Sequence, residues 1–235
     1  MRNRLKIEFI SEEPDLDYWP KPVPASKMVP EWYKKMNGYM DGIKNYENGF
    51  ANSTIKKCMP VFDSMTTGYY ILLPSDVNVS RNKENGGIVF SNPIDFKLVT
   101  EHANSQVDTM NIPKEFNRNF LKWTNNWIVK TPKGWSTLFV QPMHRDDLPF
   151  QILPAIVDTD GFKLSVQFPF ILRNDFEGVI PANTPIAQVI PFKRNDWEAE
   201  YSTLEKGQKM LNLMKHSIFF ENRYKRTFWN KKTYK

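Results

Sequence analysis

The sequence predicts a mainly β fold, a compact barrel or sandwich with an extended proline-rich N-terminal arm and a C-terminal helix. Three observations carry this. The segment Gln151 to Arg194 opens with an apolar run, reaches Asp158 and Asp160, alternates from Leu164 to Leu172, turns at Ile180-Pro181-Ala182-Asn183-Thr184, and ends in a strand from Ile186 to Phe192. Short strand candidates separated by turn residues recur from Ile55 onward, the texture of an all-β domain. No GxGxxG or Walker loop is present to suggest a nucleotide-binding α/β sheet.

The elements follow in order. Leu5 to Ile10 reads as a strand, after which Pro14, Pro20, Pro22, Pro24 and Pro30 forbid regular structure. Because this arm carries Tyr18, Trp19, Val23, Met28 and Trp32, it is expected to lie against the body. Pro30-Glu31-Trp32-Tyr33 opens a short helix, with proline where a first turn tolerates it. Residues 37–53 read as loop. Strands are then expected at Ile55 to Cys58, Gly68 to Leu73, Val77 to Arg81, Gly87 to Phe90, Phe96 to Val99, Trp127 to Lys130 and Trp135 to Val140. Asn85-Gly86 marks a hairpin turn. Ser202-Thr203-Leu204-Glu205 has the pattern of a capping box, and Leu204, Leu211, Met214 and Ile218 recur at helical spacing, so a helix is expected from about Thr203 to about Tyr224 with its apolar stripe docked on the β body. The chain divides into an arm with a short helix (1–54), a β core (55–200) and a helix with a basic tail (201–235), all within one domain.

With 235 residues, 40% hydrophobic and 25% charged, the chain has material for a sizeable core. Its apolar runs are far shorter than a membrane span, and its N-terminus lacks the apolar centre of a secretory signal, so no membrane partner and an intracellular location are expected. The single cysteine, Cys58, excludes an intrachain disulfide and is expected to be buried. The net charge of +6 equals the six basic groups that follow Glu221, namely Arg223, Lys225, Arg226, Lys231, Lys232 and Lys235. That tail suits an acidic partner or a nucleotide; alternatively its aromatic residues pack back on the body.

Four segments carry a resemblance. Met65-Thr66-Thr67-Gly68-Tyr69-Tyr70-Ile71-Leu72, Pro132-Lys133-Gly134-Trp135-Ser136-Thr137-Leu138, Pro154-Ala155-Ile156-Val157-Asp158-Thr159-Asp160 and Ile180 to Ile190 follow the motif order of the dUTPase and dCTP-deaminase superfamily. The resemblance implies a β-clip or distorted jelly-roll fold, a trimer, and nucleotide bound between subunits with magnesium. By that resemblance Asp158 stands where an aspartate activates the attacking water, Phe162 where an aromatic ring covers the deoxyribose, and Gln188 where a glutamine helps hold the phosphates. Tyr69 and His144 complete the expected ligand-binding set. Tyr70 stands where the first motif has a metal-associated aspartate, Gln141-Pro142-Met143-His144-Arg145 replaces the arginine-serine phosphate grip, and a glycine-rich C-terminal lid is missing. Ligand binding without efficient hydrolysis is therefore expected, with magnesium needed only by an active hydrolase. The PEWYKKM, TIKKCMPVFDSMTTGYY and IPANTPIAQVIPFKR segments also resemble a family of tailed-phage and bacterial proteins, a resemblance that implies no activity.

A different constellation is His144-Arg145-Asp146 with His216 and Arg226, which resembles the ligand order of iron and 2-oxoglutarate oxygenases. Against it, His216 falls within the expected C-terminal helix. No serine nucleophile elbow is present. Three functions follow as expectations. The first is a phage-type accessory protein that binds a nucleotide or other small ligand at Asp158, Phe162, His144 and Gln188. The second is a structural or partner-binding protein of the virion or of a host interaction, assembling with itself. The third is an active hydrolase or oxygenase.

Overall fold

A computed structural model describes residues 5–12, 19–47, 50–215 and 224–235. In chain order the first strands are β1 (Glu8–Ser11), β2 (Val23–Pro24), β3 (Tyr46–Glu47), β4 (Phe50–Ala51), β5 (Tyr69–Leu72), β6 (Val77–Arg81), β7 (Ile88–Ser91) and β8 (Val99–Glu101). The later ones are β9 (Leu121–Trp123), β10 (Trp127–Lys130), β11 (Trp135–Val140), β12 (Phe150–Ile152), β13 (Ala155–Val157), β14 (Phe168–Leu172), β15 (Gly178–Ile180) and β16 (Pro185–Lys193). The helices are α1 (Glu31–Lys35), α2 (Met59–Thr66) and α3 (Lys206–Lys215). The fold is mainly β, and it divides into two compact units, Met1–Ala25 with Gly68–Arg194 and Ser26–Thr67 with Asn195–Lys235.

The first unit holds open antiparallel sheets. A five-stranded sheet runs β13-β11-β16-β5-β2, a four-stranded one β12-β14-β9-β8 and a three-stranded one β15-β6-β7, with β1 paired to β10. Among the described residues no sheet closes on itself, which corrects the expected barrel. Closure requires every strand to pair on both sides, and strands as short as β13 and β15 pair on one side alone. All four residues of β5 are buried, as befits a strand flanked by β16 and β2. Pro24 is tolerated because β2 is an edge strand. In the core, Trp123 stacks on Phe170 at 4.4 Å between centroids and meets Phe150 edge-on at 5.1 Å.

Gly68, just before β5, has φ +76°, and a Cβ there would lie 2.0 Å from the Val189 carbonyl oxygen, so only glycine fits. The Asn85-Gly86 hairpin forms as expected, with Gly86 at φ +68° joining β6 to β7. The expected strand from Leu164 begins only at Phe168. Before that point the backbone is diverted to side chains, with Ser165 N donating to the Glu12 carboxylate and Val166 O accepting from Asn125 Nδ2. The strand expected at Phe96 lies later, at Val99–Glu101.

In the second unit, α1 starts directly after Pro30 as expected. The strand expected at Ile55 to Cys58 is instead a 3₁₀ turn, Ile55–Lys57, leading into α2. Pro60 in the first turn of α2 supplies a preset φ and lacks only an N–H that a helix start leaves unbonded, so it favours helix here. Cys58 precedes this helix and is half-buried, not buried. Within residues 37–53, β3 and β4 form a short hairpin. α3 begins at Lys206, with Lys209 N donating to Glu205 O, so the helix starts later than the expected capping box. Its apolar residues Met210 and Leu211 are exposed. The remainder of the expected helix, with Ile218 and His216, lies outside the described residues.

Candidate functional site

Strand β11 organises the expected site residues, and it places them at two ends. At its start, the turn after β13 closes with Gly161 N and Phe162 N both donating to Asp158 O. This turn projects two carboxylates toward β11 and the end of β16. Ser136 Oγ donates to Asp158 Oδ1 at 2.6 Å, and Arg194 Nη1 lies 3.1 Å from the same oxygen. Arg194 also forks onto Asp160, with Nη1 on Oδ1 at 2.9 Å and Nη2 on Oδ2. Asp160 Oδ2 accepts Gly134 N at 2.8 Å, while Gly134 O accepts Arg194 N at 2.9 Å. Gly134 has φ +83°, which lets the tight turn into β11 present both backbone groups.

Beneath the carboxylates lies a line of buried hydroxyls. Thr159 Oγ1 is 2.7 Å from Thr131 Oγ1 and 2.8 Å from Thr137 Oγ1, and Thr131 Oγ1 donates to Trp135 O at 3.2 Å. The Arg194 guanidinium and the Gly134 amide hold the Asp160 carboxyl down to about 2, and Asp160 in turn raises Arg194. Asp158 has a side chain 70% exposed, yet it is tied to Ser136 and Arg194. Chemically this cluster is a brace joining β13, β11 and β16. Its one cation already serves two carboxylates and cannot also grip a phosphate without giving them up.

At the other end of β11, Gln188 is opposite Val140 on one side and Tyr70 on the other. It is fully buried, and its Oε1 accepts Met143 N at 3.0 Å, fixing the loop that follows β11. His144, next in that loop, has φ +59°. Arg145 pairs with Asp147 through two bonds of 2.7 and 2.8 Å, which lowers the Asp147 carboxyl. Burial pushes the Tyr70 phenol up to about 12. Tyr69 is buried edge-on to Phe9 at 5.2 Å.

The expected binding set is thus dispersed. Asp158 meets β11 at Ser136, whereas Gln188 pairs at Val140. Four residues of strand separate the two rows, about 13 Å. Phe162 stays with Asp158, on its turn, at 41% exposure. Gln188 and Tyr69 are packed inside. Among the described residues no group of three or more His, Cys, Asp and Glu side chains could hold a metal ion. His216 of the oxygenase reading lies outside the described residues.

The functional reading of the sequence passed over Arg194, Ser136 and the three threonines. The available signal was a D-x-D turn after one strand and an arginine at the end of another, but only the antiparallel register of β11 with both β13 and β16 makes them neighbours.

In the second unit, the tail folds against α2. Trp229 Nε1 donates to Asp63 at 2.9 Å, and Lys232 Nζ binds the same carboxylate, which raises the lysine. The basic tail is in this respect a structural clasp, with Tyr224 and Phe228 still exposed.

No described helix is long and apolar enough to cross a membrane. No known protein-family profile matches the chain, and no curated protein is similar to it.

Proposed function

We propose that the protein is a structural, partner-binding β protein of phage type, with no small-molecule chemistry at Asp158. The observation that carries this reading is the dispersal of the expected ligand contacts. Asp158 belongs to a closed brace at one end of β11, while Gln188 is buried at the other and Tyr69 is buried in the row of Phe139. A ligand bridging them would have to displace both the Arg194 brace and the Met143 anchor.

For the core we favour a β-clip variant related to the dUTPase superfamily. The four resembling segments supply β5, β11, β13 and β16, which are consecutive neighbours in one sheet. The same arrangement favours a second reading, nucleotide binding around the exposed ring of Phe162.

A thermal-shift screen against nucleoside mono-, di- and triphosphates with and without magnesium separates the two. The structural reading expects the melting temperature to stay constant at millimolar ligand. A rise of several degrees with one nucleotide class would overturn it, because any ligand bound to the folded state alone must raise that temperature.

A further inference from the structure

All of the surplus charge of this chain lies in its second unit. Residues 1–25 and 68–194 hold 17 basic and 17 acidic groups, whereas residues 26–67 and 195–235 hold 15 basic and 9 acidic ones. The surplus gathers further at the end, where residues 224–235 contain Lys225, Arg226, Lys231, Lys232 and Lys235 and no acid. Aromatic rings are interleaved with them, at Tyr224, Phe228, Trp229 and Tyr234.

The structure divides these residues into anchors and a presented set. Trp229 and Lys232 both bind the Asp63 carboxylate of α2, which holds the segment on its own unit. Just before the anchors, Tyr224–Phe228 form one π-helical turn, closed by Trp229 N donating to Tyr224 O at 2.8 Å. Residues four apart on such a turn lie on one side, so the rings of Tyr224 and Phe228, 46% and 53% exposed, share a face. Lys225 and Arg226 stand between them in sequence and, like Lys231, are exposed. Among the described residues no carboxylate pairs with any of these three cations.

We propose that this anchored C-terminal segment binds a single strand of DNA, with its cations along the phosphates and the rings of Tyr224 and Phe228 stacked on bases. This deepens the partner-binding reading by naming a partner, and rests on it. An acidic peptide would answer the charge but leave the paired rings unused, and a membrane surface calls for a long apolar helical face that one turn does not supply. A duplex offers phosphates but keeps its bases stacked on one another, so the rings select an unpaired strand. Neither a ring face nor a cation calls for a ribose hydroxyl, so deoxyribose suffices.

The test is fluorescence anisotropy of an end-labelled oligo(dT) of about 20 nucleotides, titrated with the full chain at about 50 to 200 mM salt beside a duplex and an oligo(U) of the same length. The expected result is binding of oligo(dT) at least about fivefold tighter than the duplex. Tyr224→Ala/Phe228→Ala should weaken it at least about fivefold. Lys225→Gln/Arg226→Gln should reduce the slope of log affinity against log salt by about 1.4. Far-UV circular dichroism checks that each variant is folded. Absence of oligo(dT) binding at low salt overturns the proposal, as does equal or tighter binding of the duplex, binding of oligo(U) alone, or full retention of affinity by both variants. Each of these leaves the partner-binding reading standing with another partner. That reading itself falls to a thermal shift with free nucleotides that Tyr224→Ala/Phe228→Ala retains.

Discussion

Arg194 and Asp160, 34 positions apart, face each other as a two-pronged pair at the point where β16 leaves its sheet. The arginine does more than neutralise a charge, because its own backbone N–H is fixed by Gly134, the residue whose amide Asp160 holds.

The pair predicts an acid limb in the stability profile. The Asp160 carboxyl is depressed to about 2, below its unfolded value of about 3.9. Its contribution is fully present above the unfolded value and is lost as pH falls through the folded one. Denaturant midpoints for the wild type should therefore drop as pH goes from about 4 to about 2, and Arg194→Gln should flatten that part of the curve. An unchanged slope in the variant would show that the pair contributes nothing.

Tyr70 predicts the opposite limb. Its phenol titrates at about 12 in the folded chain, against about 10 when unfolded. A raised value stabilises fully below the unfolded one and is lost as pH rises through the folded one. Alkaline unfolding should thus move to higher pH in Tyr70→Phe, and ultraviolet difference spectra should show one tyrosinate forming late in the wild type.

The buried hydroxyl line predicts an asymmetry between two conservative changes. Thr159→Val preserves shape but strips Thr137 and Thr131 of their shared partner, and should cost about 1–3 kcal/mol in urea denaturation. Thr159→Ser retains the hydroxyl and should cost less. Equal losses would mean that packing, not the hydrogen bonds, matters there.

Gly68→Ala should be the most damaging small change in this sheet. It combines a positive φ with a Cβ 2.0 Å from the Val189 oxygen, and a cost of about 2 kcal/mol or more is expected from equilibrium unfolding. A near-neutral result would mean that β5 and β16 can separate locally at no great expense.

Legibility in the sequence followed the range of the interaction. The Asn85-Gly86 hairpin, α1 behind Pro30, and the strands Trp127–Lys130 and Trp135–Val140 are set by neighbours within a few residues, and all are recoverable from them. Ile55 to Cys58 was misread as a strand, and α2 went unassigned, because these residues precede a proline whose meaning depends on whether it opens or breaks a helix. β9, β12, β13 and β15 are three residues each, too short for an alternation to register, and exist because a longer strand lies beside them. The geometry of the candidate site was hidden for the same reason. Asp158 and Gln188 match motif positions locally, but their separation is a property of strand register, and the burial of Gln188 comes from β5, which lies more than a hundred residues earlier.

The place of β16 has a consequence for how the chain emerges from the ribosome. β16 is the last strand of its sheet to be made, yet it lies between β11 and β5. Until Lys193 has been synthesised, β5 has no neighbour on that side, and its four residues, all buried in the finished fold, have only the two-residue edge strand β2 to pair with. At ordinary translation speeds that wait lasts on the order of ten seconds. Nascent chains stalled before residue 185 should accordingly be sticky and protease-sensitive, and the protein should depend on holding chaperones during synthesis far more than its finished stability would suggest.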